Sequence, residues 1–275
     1  MAVWLGAAFA LSLVGCSGAG VSADPALENA GGAGGASVGG ASTGGGAGAL
    51  GSAGAAGGAP LPRQHTAGCT APAGVSASPH TIADAVALIN ALPKPLTLTC
   101  YLQALARPLE MSATTSVFSA QPAQGRRSPR IFLFLDPDIV SVVPDGDGAA
   151  LLELGEEQPD FRSLKGQITF PVLAPLTPTA PFEGLMYNDR LSTCGLCHAS
   201  EQQDSGVSGI RAFISESLRP RQAELVSADE LRQQLASCDR TVELGRCEIL
   251  DGLLGWGSVT DRVFPDKMDT FGGGP

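Results

Sequence analysis

Residues 30 to 59 read AGGAGGASVGGASTGGGAGALGSAGAAGGA, a tract that limits how much of the chain can build a core. Glycine, alanine and serine offer almost no apolar area to bury, and ordering glycine is entropically costly. Such a stretch is a flexible linker. At about 5–6 Å × √n, a flexible linker of about 40 residues reaches roughly 35 Å. Residues 1 to 60 hold no Lys or Arg and only two acids, Asp24 and Glu28. The rest of the 275-residue chain holds all 17 basic residues and 25 of the 27 acidic ones, a net charge of −8. The expected organisation is a leader over 1–15, a linker over 16–62 and a folded domain over 63–275. About 200 residues suffice for one domain with a sizeable core, or for two small ones.

The acidic balance excludes a typical nucleic-acid binder, which needs a basic face. The one basic cluster, Arg126-Arg127-Ser128-Pro129-Arg130, reads as a solvated loop. The first 15 residues, MAVWLGAAFALSLVG, form an almost unbroken apolar run. It is too short to span a bilayer, which takes about 20 residues. It matches the apolar region of a signal peptide. Leu13-Val14-Gly15-Cys16 resembles the bacterial lipobox. The resemblance implies cleavage before Cys16, a diacylglycerol on its thiol and acylation of the new amine. Each buried CH2 contributes about 0.8 kcal/mol, and two or more acyl chains anchor stably. No Lys or Arg precedes the run, where the lipoprotein pattern has one. Ser17, in place of Asp, implies the outer membrane, with the domain facing the periplasm or the cell surface. The alternative is an ordinary secretory signal with an incidental cysteine. Both readings take the mature chain out of the cytoplasm.

Within the folded part, Ile82, Ala85, Val86, Ile89 and Leu92 recur at helical spacing. Thr81 with Asp84 caps that helix and Pro93 ends it. A short helix is expected over Cys100–Ala106. The apolar runs at 130–135, 138–143, 150–155 and 166–173 are separated by Pro, Asp and Gly turns, and read as three to five mostly antiparallel strands. PDGDG at 144–148 reads as a hairpin turn rather than a calcium loop. Ser227 and Glu230 cap a further helix, and Leu244, Cys247, Leu250 and Leu254 mark another. The expected class is α+β, a β-rich centre flanked by helices.

Cys194, Cys197 and His198 lie in STCGLCHAS at C-x-x-C-H spacing. With the chain's Cys and His frequencies, about 0.002 such motifs would arise by chance. The motif is that of c-type haem attachment: two thiols reach the two vinyl groups, and the adjacent imidazole binds iron as proximal ligand. Here the chain resembles a monohaem c-type cytochrome carried on a lipoprotein. The resemblance covers the lipobox and the five motif residues. It implies covalent haem c on Cys194 and Cys197, His198 as proximal iron ligand, and single-electron transfer with a redox partner protein. Small soluble cytochromes of this kind carry the motif near their start and a distal Met downstream. Here about 125 residues of expected helix and sheet within the folded part precede it, and Met268 is the downstream methionine. Met186, His80 and His65 are further axial candidates, as is an open site suited to small ligands or peroxidase-like chemistry.

Seven cysteines are present. With Cys16 on lipid and two on haem, four remain, and local pairing gives Cys69–Cys100 and Cys238–Cys247. A Cys194–Cys197 disulfide closes the count equally well. That alternative describes a disulfide-stapled binding lipoprotein without haem. A zinc site lacks a fourth ligand. With three histidines, one of them in the C-x-x-C-H motif, a Ser-His-Asp hydrolase has little support.

Overall fold

The computed structural model describes residues 66–116, 121–204 and 206–270. The leader, Cys16, the linker and His65 lie outside the described residues.

Helix α1 (Ile82–Ala91) starts where Thr81 accepts a hydrogen bond from the Asp84 amide, and its chain leaves at Leu92, ahead of Pro93. α2 (Leu98–Ala104) is capped the same way by Thr97. It begins two residues before the expected Cys100, because the Thr97 cap sets its start. Then come β1 (Leu109–Thr114), β2 (Arg130–Phe134), β3 (Asp138–Val142), β4 (Leu151–Gln158) and β5 (Arg162–Thr169). The short α3 (Ala180–Glu183) precedes β6 (Gln202–Asp204), β7 (Ala212–Glu216) and β8 (Leu225–Val226). α4 (Ala228–Ala236), capped by Ser227, α5 (Leu244–Leu254) and β9 (Val259–Asp261) complete the order.

The α+β expectation holds, with more strand than the apolar runs suggested: the described residues form a nine-stranded sheet. Its order is β6-β7-β5-β4-β3-β2-β1-β8, antiparallel throughout, while β9 runs parallel to β1. The 144–148 turn joins β3 to β4 as a hairpin. Gly146 and Gly148 there have φ of 85° and 88°, which glycine adopts without strain.

Strand alternation divides the sheet into two faces. Ile131, Leu133, Val140, Val142, Leu152, Leu154 and Ile168 join the buried core formed with Ile82, Ala85, Ile89, Leu231 and Leu250 of the helices. The opposite face carries Phe132 and Phe134 of β2, Ile139 and Ser141 of β3, Glu153 of β4, and Ser163 and Lys165 of β5. There Phe134, Phe264 and Met268 form a second, smaller cluster with Phe132, Ile139 and Phe161 around it.

Two disulfides staple the helical side. Cys69–Cys100 ties the leading segment to α2, and Cys238–Cys247 ties the turn after α4 to α5. Arg126 and Arg127 are exposed and paired with Glu230 and Glu243, as a surface loop permits. Arg130 is different. It is largely enclosed and pairs with Glu153 on the second face, which corrects its reading as a solvated residue.

Candidate functional site

The C-x-x-C-H residues sit on a short helical turn. Cys194–Leu196 is a 3-10 segment, and the Cys194 carbonyl accepts from the amides of Cys197 (3.1 Å) and His198 (2.9 Å). The turn is latched from beneath. Ser192, fully buried, accepts from the Cys194 amide at 3.1 Å. Its hydroxyl and its own amide donate to the two oxygens of Glu201. Thr193 donates its amide to the Leu185 carbonyl at 2.8 Å.

His198 is held by one bond, 2.8 Å from Nδ1 to the Glu216 carbonyl at the end of β7. A carbonyl only accepts, so Nδ1 carries the proton and Nε2 keeps its lone pair. Burial pushes the imidazole down to about 3, helped by the nearby charges of Lys165 and Arg130. The ring is therefore neutral at physiological pH, the form that binds a metal. Burial raises the Cys194 thiol, so it is protonated near neutrality.

Both residues open onto a cavity of about 210 Å³ on the second face of the sheet. Its apolar wall is Phe132, Phe134, Phe161, Phe264 and Met268. Its polar side holds the Arg130–Glu153 pair, Ser163 and Lys165. Lys165 lies within the fold, and burial pushes its ammonium down to about 8. The structure thus brings Cys194, His198 and Met268 to one cavity although 70 residues separate His198 from Met268. Arg219 holds the arriving segment, its Nε donating to the Met268 carbonyl at 2.9 Å.

The other motif residue stands apart. Cys194 is a free thiol, whereas Cys197 is disulfide-bonded, so the two are not joined to each other. Cys197 does not line the cavity. His80 sits before α1, with Nδ1 on the Asp136 carbonyl, and Met186 lines a separate shallow hollow with Tyr187 and Arg211. Both lie off the main cavity.

Among the described residues, one set of three metal-type donors converges within 4.8 Å: Cys238, Glu243 and Cys247. Its sulfurs are spent in the disulfide, and Glu243 pairs with Arg127 and Arg246. It is a structural cluster. Sequence reading missed Ser163, Lys165, Glu216 and the phenylalanine wall. The signal was present in the strand alternation, which puts Ser163 and Lys165 on one face, but strand register is needed to bring that face to Cys194. No family model matches the chain, and no curated protein or solved structure matches it significantly.

Proposed function

We propose that this chain is an exported, membrane-anchored protein that binds one covalent haem c and passes single electrons. The observation that carries the reading is the convergence of Cys194, His198 and Met268 on one aromatic-walled cavity. Bound haem would supply reversible one-electron storage. The chain's own residues fit the task in three ways. Glu216 fixes the His198 tautomer and leaves Nε2 available, the usual arrangement behind a ligating histidine. Cys194 offers a free thiol whose S–H can add across a vinyl group. Four phenylalanines exclude water from the place a flat apolar ring would occupy. Met268 is the proposed distal ligand. Cys16 is the proposed lipid anchor, placing the domain at the outer membrane.

Cys197 fits only after reduction of its disulfide. The second reading is a disulfide-stapled binding lipoprotein without haem, which the Cys69–Cys100 and Cys238–Cys247 staples favour.

One experiment separates the two. The chain is exported in a host with active c-type maturation, denatured, stained for haem and examined as the pyridine haemochrome. Haem that stays with the denatured chain, and is lost in Cys194→Ser/Cys197→Ser, is the expected result. A colourless wild-type chain beside a matured control cytochrome would leave the binding lipoprotein.

A further inference from the structure

Among the described residues no carboxylate lies within ion-pair distance of Lys165. The residue is 9% exposed. Of the nearby carboxylates, Glu153 pairs with Arg130, and Glu201 accepts from the Ser192 amide and hydroxyl rather than from Lys165. An enclosed ammonium without an anion is costly, and such groups normally acquire a partner.

The groups around it are donors in surplus. Lys165 Nζ donates to Ser163 Oγ at 2.6 Å and, at 3.5 Å, to the Glu216 carbonyl, and Ser217 Oγ donates to the same Ser163 oxygen at 2.9 Å. Ser163 thus accepts twice and still has its own O–H to give. Directly across the β5–β7 ladder from Ser163 lies Ser215, fully buried, whose hydroxyl has no partner. Cross-strand partners share a face, so Ser215 belongs to the same patch. Lys165, Ser163 and Ser217 all line the cavity, beside the phenylalanine wall.

We infer that Lys165, with the hydroxyls of Ser163, Ser215 and Ser217, is a subsite for a carboxylate carried on a flat apolar body. The chemistry follows from the surplus: an ammonium and two unassigned hydroxyl protons complement an anion with several acceptor lone pairs. The aromatic wall receives the apolar body. The inference rests on reading the cavity as a ligand site, and it names the group that fixes the ligand's orientation there.

The test uses the full chain made without haem and two fluorescent probes, 1-pyrenebutyric acid and its methyl ester, titrated at pH 7. Wild type is expected to bind the acid at least about tenfold tighter than the ester, the usual value of a charged hydrogen-bonded contact. Lys165→Met should reduce that preference below about twofold while ester binding persists. Ser215→Ala is the milder control for folding. It should weaken acid binding about threefold and leave the ester unchanged. Equal affinities in wild type, a preference retained in Lys165→Met, or no binding of either probe at millimolar concentration would overturn the subsite. Covalent haem without any acid preference refutes the subsite and leaves the haem reading standing. Acid preference in a chain that never takes haem does the reverse.

Discussion

His198 and Asp138 are both enclosed and titratable, and their pKa values are displaced in opposite directions. Asp138 is fully buried on β3, and no side chain hydrogen-bonds its carboxylate. Burial, then the Glu156 charge across the ladder, push it up to about 7. The folded state therefore holds its proton where the unfolded chain, at 3.8, has lost it. The stability cost appears as pH rises from about 4 to about 7 and is complete above that. His198 has the opposite sign. Its pKa falls from 6.5 to about 3, so stability is lost as pH drops through that window. In wild type the two trends oppose each other. Asp138→Asn should gain a few kcal/mol relative to wild type at pH 8 and little at pH 4. His198→Asn keeps a donor for the Glu216 carbonyl and should remove the acid-side loss. Urea unfolding of both variants at pH 4, 6 and 8 checks the signs. An Asp138→Asn gain that is constant with pH would mean the carboxyl does not titrate in this window. Neither displacement is legible in sequence, because each arises from neighbours on other strands.

The capped helices were the most legible elements. Thr81, Ser227 and the Pro93 stop act within one turn, and local chemistry needs no partner. The strands were less so. β4 and β5 extend beyond their apolar runs because Glu153, Glu157, Ser163 and Lys165 face the cavity while Leu152, Leu154, Leu164 and Ile168 face the helices. β1, LEMSAT, was missed because its pairing with β2, β8 and β9 is wholly non-local. The disulfides were legible as local pairs, and their spacing gives a prediction. The 31-residue separation of Cys69–Cys100 restricts the unfolded chain more than the 9-residue separation of Cys238–Cys247. Replacing each pair by serines should cost about 4 and about 3 kcal/mol respectively, in the chain-entropy view. Denaturant midpoints of the two variants check the order. At the α2–α5 contact, a Cβ on Gly252 would lie 2.9 Å from the Thr99 carbonyl. Backbone cannot yield as a side chain can, so Gly252→Ala should cost about 1–3 kcal/mol despite its better helix propensity. Its thermal midpoint, compared with that of Gly245→Ala, where the added Cβ meets nothing, measures this directly.

At the scale of the whole molecule, one face of the sheet carries the helical core and the other is covered by the 192–200, 217–220 and 262–268 segments. The cavity lies under that irregular cover. Met268 reaches it because Arg219 holds its carbonyl and Phe264 packs between Phe132 and Phe134. If the chain takes haem as proposed, Met268→Leu should change the stability of the loaded protein by less than about 1.5 kcal/mol. It should also lower the midpoint potential and let the reduced protein bind CO, since a His/Met pair raises the potential and closes the site. A potential and a CO response equal to wild type would remove Met268 from the iron.

The sequence by itself determined the helix boundaries set by caps and prolines, the α+β character and the motif at 194–198, and it made the two local disulfides an expectation that the structure bears out. Each of these depends on residues close in the chain or on their spacing. Only the tertiary structure decided what surrounds the motif. The Glu216 carbonyl, the absence of an ion pair to Lys165, the partnerless Ser215 hydroxyl and the arrival of Met268 depend on strand register and on segments far apart in sequence. Charge, burial and hydrogen bonding are fixed by neighbours in space, and the antiparallel ladder selects those neighbours.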